Sequence, residues 1–156
     1  MSEQCWASHL PALFSCLLAT SGPVLEVGAG EWSTPLLRKF SEVAGRRFAT
    51  LEESQEWASK TGSVYIPLSI MTEHLALCAK QPWSVVFLDH NGHRRAADAL
   101  LFVDSAEYIV IHDYPAPEIF DWLELGRWKH HIVDKRARPW TLVLTQSDEL
   151  ASRLWQ

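Results

Sequence analysis

Two glycines and a nearby carboxylate are the first residues whose types and spacing suggest chemistry. Gly28 and Gly30 follow an apolar run and precede a segment with helical periodicity. Glycines in such a turn adopt positive φ angles and let a ligand approach the backbone, while the helix N-terminus supplies N–H donors. Glu26 stands two residues before the first glycine, where burying a carboxylate is costly unless a cation or backbone donors pair with it. The pattern predicts a cofactor site.

A second group combines acids with histidines at Asp89, His90, His112 and Asp113. A histidine titrates near neutral pH and can remove a proton, and carboxylate oxygens can hold a divalent cation. We therefore predict catalytic roles for these four residues, with Asp89 and Asp113 as candidate Mg²⁺ ligands. A transition-metal site from His90, His93 and His112 is an alternative, although histidines without tight ligand spacing more often cap helices or face solvent.

Seven apolar runs rich in β-branched or aromatic residues predict strands. The first five begin roughly twenty residues apart, the length of a strand, a helix and two loops, which predicts parallel βαβ units. The last two are separated by a linker too short for a parallel crossover, so we expect an antiparallel hairpin. The fold class is therefore α/β, a Rossmann-like doubly wound sheet of five parallel strands plus a C-terminal antiparallel hairpin. The predicted strands are Val24–Val27, Arg47–Leu51, Val64–Pro67, Ser84–Asp89, Glu107–His112, His130–Asp134 and Thr141–Thr145.

Helices are predicted between these strands. Ser33 or Thr34 is a candidate cap for the helix after the glycines, and Ser54 for the next one. We expect one domain over residues 1–156, with a short N-terminal helix in 1–22, a core at 23–146 and a tail or helix at 147–156. The predicted helices are Leu10–Ala19, Pro35–Val43, Ser54–Lys60, Ile70–Lys80, His93–Val103 and Pro117–Leu125.

The run Leu25-Glu26-Val27-Gly28-Ala29-Gly30 resembles the first motif of the class I S-adenosylmethionine-dependent methyltransferases, an acidic residue followed by Gly-x-Gly at the end of the first strand. In that family this loop lies beside the methionine part of the cofactor, whose ammonium group tolerates an anion that would repel a pyrophosphate. The run Phe48–Trp57 resembles the second strand, whose terminal acid, here Glu52, accepts bonds from the ribose hydroxyls. In a subgroup, a Trp follows that acid five residues later, as Trp57 does here.

The resemblance extends through the later strands. Val86–His93 is similar to the fourth strand with Asp89 at its end, and Tyr108–Tyr114 is similar to a fifth-strand ending of small O-methyltransferase-like members. The terminal hairpin is also a family feature. In related O-methyltransferases, acids at matching strand ends hold a divalent ion, but Tyr114 stands where a third acid or amide is usual.

This resemblance implies S-adenosylmethionine as the cofactor and a small hydroxylated molecule as the methyl acceptor. Trp32 stands at a common third glycine position and is expected to wall off part of the site. The resemblance implies a set of cofactor-binding residues drawn from three strand ends: Glu26, Gly28, Gly30, Trp32, Ser33, Glu52 and Asp89.

Two other functions stay open from the sequence. A non-catalytic module that binds S-adenosylmethionine or a nucleotide, or that serves assembly, is suggested by the small size and by Trp32 in the glycine loop. An NAD-dependent oxidoreductase is disfavoured, because Ser33 stands where the dinucleotide fingerprint has its third glycine. Cofactor affinity without turnover would mark the first, and nicotinamide binding the second.

Composition limits the partners. The chain has 156 residues, 47% of them hydrophobic, and a net charge of −5, which disfavours nucleic acid as a partner. It has no apolar run long enough to span a membrane, and no positive region precedes residues 10–19, so we predict a cytoplasmic protein without membrane association. Its shortness predicts a poorly covered crevice for the small-molecule substrate, closed by a homodimer or another partner.

Overall fold

A mixed β-sheet organises the protein. The computed structural model describes residues 7–114 and 124–154. Within these ranges the strands are β1 (Val24–Val27), β2 (Phe48–Glu52), β3 (Val64–Tyr65), β4 (Trp83–Leu88), β5 (Ala106–Tyr114), β6 (His130–Asp134) and β7 (Trp140–Thr145). Their order across the sheet is β3-β2-β1-β4-β5-β7-β6. The first five strands pair in parallel, and β7 pairs antiparallel with both β5 and β6. This arrangement confirms the predicted fold class.

Strand β1 lies between β2 and β4, so the direction of strand order reverses beside it. Val27 is level with Leu51 of β2 and with Leu88 of β4, and the three strands therefore end together. Every residue of β1 and β4 is buried, as expected for parallel strands covered on both faces. A crevice forms outside the carboxyl ends at such a switch point.

Helices cover both faces of the sheet. In the described ranges they are α1 (Leu10–Ala19), α2 (Ser33–Val43), α3 (Gln55–Thr61), α4 (Leu68–Cys78), α5 (Gly92–Leu100) and α6 (Asp148–Arg153). Helix α1 has the predicted bounds, and the C-terminal segment contains a helix. The predicted helix Pro117–Leu125 falls mostly on residues 115–123, which lie outside the described ranges; a 3₁₀ turn spans Leu125–Arg127.

One of the two predicted helix caps is confirmed. Ser54 accepts a hydrogen bond from the Trp57 N–H (3.3 Å) at the start of α3. The cap predicted at Ser33 or Thr34 is wrong, because α2 already begins at Ser33 and Trp32 occupies the cap position without a side-chain bond. The Thr34 hydroxyl instead donates to Glu26 and accepts from the Gly30 N–H, so it does not cap the N–H groups at the start of α2.

Alternate residues of the central strands build two cores. Val86 and Leu88 of β4 belong to the cluster on one face of the sheet, whereas Val85 and Phe87 pack on the other face. Helix α1 contributes buried side chains to the Phe87 side, so the start of α1 lies over the carboxyl half of β4. None of the helices in the described part of the chain is long and apolar enough to cross a membrane.

Candidate active site

The glycine loop between β1 and α2 packs directly on the end of β4. Gly28 has φ of 90°, and a Cβ at this position would collide with the His90 nitrogen and the Asp89 carbonyl carbon. Its N–H donates to the Leu51 carbonyl of β2 (2.9 Å). Only glycine meets both the φ angle and the close approach, so this residue fixes the loop against two strand ends.

Side chains of the chain itself hold the loop amides. The Ala29 N–H donates to Glu52 Oε2 (2.7 Å), and the other oxygen of Glu52 accepts from the Ser54 N–H (2.8 Å). The Gly30 N–H donates to Thr34 Oγ1 (2.9 Å). Glu52 thereby ties the loop to the start of α3, and two amides that a phosphate would need are already engaged.

Glu26 is fully buried beneath the loop. Its Oε2 accepts bonds from the hydroxyls of Thr34 and Thr50, both at 2.8 Å, while Oε1 has no partner among the described residues. Burial raises the pKa of this carboxyl to about 7, against the opposing effect of the Ser33, Thr50 and Thr34 hydroxyls. With this pKa a substantial fraction of the carboxyl is ionised at neutral pH, and the ionised form attracts a cation and repels a phosphate.

A cavity of about 460 Å³ opens at the carboxyl ends of β1, β4 and β5. It brings together six of the predicted site residues, whereas Glu26, Gly28 and Glu52 lie behind its surface. The lining comprises His9, Ala29, Gly30, Glu31, Trp32, Ser33, Trp57, Asp89, Arg95, His112 and Asp113. One wall is thus the glycine loop with two tryptophans, and the other is a polar cluster.

Arg95 of α5 joins the ends of β4 and β5. Its guanidinium is buried and lies within 3.1 Å of Asp89 Oδ1 and 2.7 Å of Asp113 Oδ2. It also donates to the backbone carbonyls of Asp89, His90 and His112. A divalent cation bound by the two carboxylates would face this fixed positive charge. The two residues therefore do not fit the predicted Mg²⁺ site.

His112 is held at both ring nitrogens. Nδ1 donates to Asp89 Oδ1 (3.1 Å), and Nε2 forms a hydrogen bond with the Ser8 hydroxyl (2.9 Å). Ser8 is buried and does not line the cavity, so the relay orients His112 and presents no nucleophile. The ring faces the cavity as a positioned group with its hydrogen-bonding capacity used.

His90 and His93 lie elsewhere. The buried ring of His90 donates from Nε2 to Asp98 Oδ2 (2.8 Å) and does not line the cavity. His93 is exposed on the first turn of α5. The structure therefore does not bring these two residues together with His112, and the alternative transition-metal site is not assembled.

Two residues of the cavity, His9 and Arg95, were not singled out from the sequence. The His9 ring packs on Phe87 with a centroid distance of 4.8 Å and meets the His112 ring edge-on at 4.6 Å. Burial lowers the pKa of His9 to about 4. Neither of its nitrogens has a hydrogen-bond partner within residues 7–114 and 124–154. In the sequence, His9 stands directly before the predicted helix Leu10–Ala19. That position does not reveal which residues the start of the helix contacts.

His9, Asp89 and His112 also form a compact trio. Each offers one nitrogen or oxygen atom, and these atoms lie within 4.8 Å of one another. Arg95 ion-pairs with the same Asp89 carboxylate, however, and His112 already uses its Nδ1 there. These bonds account for the position of Asp89 without a cation.

Comparison with known proteins gives matches among solved structures alone. No family model matches the chain, and no curated protein matches it. Cofactor-bound Rv0187 from MTB is similar with a TM-score of 0.63 and 16% identity, covering 95% of this chain and 83% of its own.

Two further solved structures are similar to this chain. The O-methyltransferase TomG from Streptomyces achromogenes, involved in tomaymycin synthesis and solved in complex with S-adenosylmethionine, has a TM-score of 0.59, 18% identity and coverage of 90% and 79%. A human methyltransferase 10 domain containing protein has a TM-score of 0.55, 12% identity and coverage of 83% and 73%. At these identities the likeness is one of fold.

Proposed function

We propose that this chain, which has the fold of class I S-adenosylmethionine-dependent methyltransferases, binds S-adenosylmethionine and transfers its methyl group to a small hydroxylated acceptor. The observation that carries the proposal is a single cavity shared by the glycine loop and the polar cluster at the ends of β4 and β5. Methyl transfer is an in-line displacement, so cofactor and acceptor must lie side by side. One cavity with two chemically different walls provides that arrangement.

The electrostatics beneath the loop favour this cofactor over a dinucleotide. The amides of Ala29 and Gly30 are engaged by Glu52 and Thr34, so they are not free to cradle a pyrophosphate. Two buried carboxyl side chains, Glu26 and Glu52, also lie under the loop, and in their ionised forms they would repel a pyrophosphate. The ammonium of the methionine part matches Glu26, whose Oε1 has no partner in the described part of the chain. We therefore rank the oxidoreductase below the methyltransferase.

The remaining cofactor contacts are proposed from the cavity walls and from Glu52 directly behind them. Glu52 uses one lone pair of each oxygen for a backbone N–H and retains others for the ribose hydroxyls. Trp32 and Trp57 line the same side and offer aromatic faces to the adenine. Asp89, His112 and Asp113 line the opposite wall and would face the acceptor.

The acceptor is proposed to be small and to carry a hydroxyl. The cavity of about 460 Å³ must hold the cofactor and the acceptor together, which leaves room only for a small acceptor. The acceptor wall carries carboxylates and a histidine relay, which accept or orient an O–H group. TomG, whose fold this chain shares, is an O-methyltransferase.

Isothermal titration with S-adenosylmethionine, S-adenosylhomocysteine and NADH tests the cofactor. We expect micromolar affinity for the first two and an affinity loss of about tenfold in Glu52→Ala, since a hydrogen bond donated by a ribose hydroxyl to a charged acceptor is removed. Glu56→Ala, on the exposed side of α3, is the matched control and should leave binding unchanged. Heat with NADH alone would contradict the proposal.

Transfer itself requires a second assay. Methyl-labelled S-adenosylmethionine is incubated with the protein and a panel of phenols, catechols and aliphatic alcohols, and the labelled products are extracted. Transfer to a hydroxylated compound supports the acceptor class, and transfer to amines alone contradicts it.

A non-catalytic binding or assembly module is the second candidate. The side chain of Trp32 is 57% exposed at the cavity, and an exposed aromatic of this kind is a frequent anchor for a protein partner. Cofactor binding without turnover on any acceptor would favour this candidate.

A further inference from the structure

The His9 ring is an unexplained polar group in the cavity wall. It is 2% exposed, it lines the cavity, and both nitrogens lack a hydrogen-bond partner among the described residues. Buried polar atoms nearly always have partners in native proteins, so an unpaired ring at a cavity points to a ligand atom. A neutral imidazole offers one N–H donor and one lone pair to such a ligand.

His112 and Arg95, the polar neighbours of His9, already have hydrogen-bond partners. Both His112 nitrogens are bonded, to Asp89 and to Ser8. The Arg95 guanidinium donates to two carboxylates and to three backbone carbonyls. Of the histidines that line the described cavity, His9 is the one whose ring nitrogens have no hydrogen-bond partner among the described residues.

Packing holds the His9 ring in place without using its nitrogens. Its carbonyl accepts the Leu13 N–H (3.0 Å) at the start of α1, which fixes the backbone. The ring lies between Phe87 and the edge of His112. The base is thus immobilised by aromatic contacts, as a group that must meet a reacting atom should be.

We infer that His9 is the catalytic base that receives the acceptor's hydroxyl proton during methyl transfer; the inference rests on the proposed function. The acceptor oxygen forms its bond to the methyl carbon as the carbon–sulfur bond breaks, and that electron pair returns to sulfur. The sulfonium becomes a neutral thioether. The hydroxyl proton passes to a ring nitrogen of His9, so the positive charge moves from sulfur to the imidazolium.

The surroundings keep the resting His9 ring unprotonated. Burial lowers its pKa to about 4, and the adjacent His112 and Arg95 act in the same direction, so the ring has a free lone pair at pH 7. Asp89 and Asp113 act in the opposite direction. They offset part of the cost of forming the imidazolium as the sulfonium charge disappears.

Sinefungin provides a test that needs no knowledge of the acceptor. In this analogue of S-adenosylmethionine an amine stands where the transferable methyl group would be, and S-adenosylhomocysteine lacks both groups. If His9 faces the reacting methyl, it accepts a bond from that amine. We expect His9→Phe to raise the Kd of sinefungin about tenfold or more and to change the Kd of S-adenosylhomocysteine less than about twofold.

The variants separate a chemical role from packing. His9→Phe keeps the contacts with Phe87 and removes two unpaired nitrogens, so its melting temperature should be unchanged or higher. His9→Gln retains an acceptor atom and should restore sinefungin affinity. His74→Phe, on α4 away from the cavity, is the matched control and should change neither Kd.

The outcomes are distinct. Equal effects of His9→Phe on both ligands, or no effect on either, overturn the role of His9 while the cofactor site stands. Failure of the unaltered protein to bind either ligand removes the proposed function and this inference with it. A Zn²⁺-induced rise in melting temperature that His9→Phe abolishes would assign the ring to a metal and overturn the base.

Kinetics separates a base from a hydrogen-bond acceptor. For any hydroxylated compound that the transfer screen identifies, His9→Gln should lower kcat about a hundredfold at neutral pH. The loss should shrink as rising pH ionises the acceptor. A loss independent of pH would overturn proton transfer to His9.

Discussion

At the scale of single residues, Glu26 combines burial with incomplete hydrogen bonding. Two threonine hydroxyls satisfy one oxygen, and the other has no partner in the part of the chain that the structure describes. Burial favours the protonated form and raises the pKa from 4.5 to about 7. The folded protein therefore binds a proton there that the unfolded chain releases above about pH 4.5.

Glu26→Gln is expected to become relatively more stabilising as pH rises. Because the folded-state pKa is the higher one, the stability that protonation contributes is complete below pH 4.5 and is lost as pH rises through about 7. A shift of this size corresponds to about 3 kcal/mol at pH 8. Urea denaturation at pH 5, 6, 7 and 8 measures the free energy of unfolding. The difference between the variant and the original protein should shift in favour of the variant by about that amount as pH rises.

Glu56→Gln provides the comparison for that series, because Glu56 is exposed. Its difference from the original protein should stay small at every pH. A Glu26→Gln difference that does not change between pH 5 and 8 would contradict an elevated pKa.

Residues in an ordered motif were predictable from the sequence, and residues brought in by distant packing were not. Gly28 and Asp89 follow predicted strands, and the parallel topology places the ends of those strands together. His9 reaches the cavity because α1 docks over Phe87, a contact between residues far apart in the sequence. Local periodicity carries no information on such a contact.

At the scale of elements, α5 clamps two strand ends together. Arg95 reaches from α5 to Asp89 after β4 and to Asp113 within β5, where the β5–β7 register shifts. Asp113 has φ of 63°, a left-handed conformation that aspartate tolerates better than most residues. The ion pair with Arg95 holds the Asp113 side chain in place in this conformation.

Arg95→Met should destabilise the protein by about 2–3 kcal/mol, because the half-buried Asp89 carboxylate loses its cationic partner and three backbone carbonyls lose a donor. Equilibrium urea unfolding measures the change. Arg94→Met is the neighbouring control: Arg94 is partly exposed and lies 3.7 Å from Asp98, so we expect a loss of about 1 kcal/mol or less. Equal losses in the two variants would show that Arg95 does not join the strand ends as described.

Element types were predictable because strand and helix periods differ, but the cap of α2 was not. A serine or threonine before a helix normally bonds the first free N–H groups. Thr34 instead donates to Glu26 and accepts from Gly30. A buried carboxylate eight residues away therefore decided the role of that hydroxyl.

At the scale of the whole molecule, the cavity is open on the side of Trp32. More than half of this side chain is exposed, although tryptophan is among the most favourable residues to bury. The sequence predicts a homodimer or another partner over the crevice, and this geometry supports the same proposal.

Sedimentation velocity of the purified protein, with and without S-adenosylhomocysteine, measures the oligomeric state. We expect a species of twice the 17.7 kDa chain mass, which Trp32→Ser should shift toward the monomer because the exposed ring would no longer be buried between subunits. Val43→Ser is the control, because Val43 is exposed on α2. A strict monomer that binds the cofactor and methylates a small acceptor would contradict the prediction.

The pinned glycine loop has a kinetic consequence. Three successive amides, those of Gly28, Ala29 and Gly30, are bonded to Leu51, Glu52 and Thr34, and Gly28 touches the end of β4. A ligand arriving there finds the loop already arranged and has little chain to order. Association should then be a single encounter step whose observed rate rises linearly with ligand concentration, and differences in affinity among ligands should reside in how slowly each one leaves.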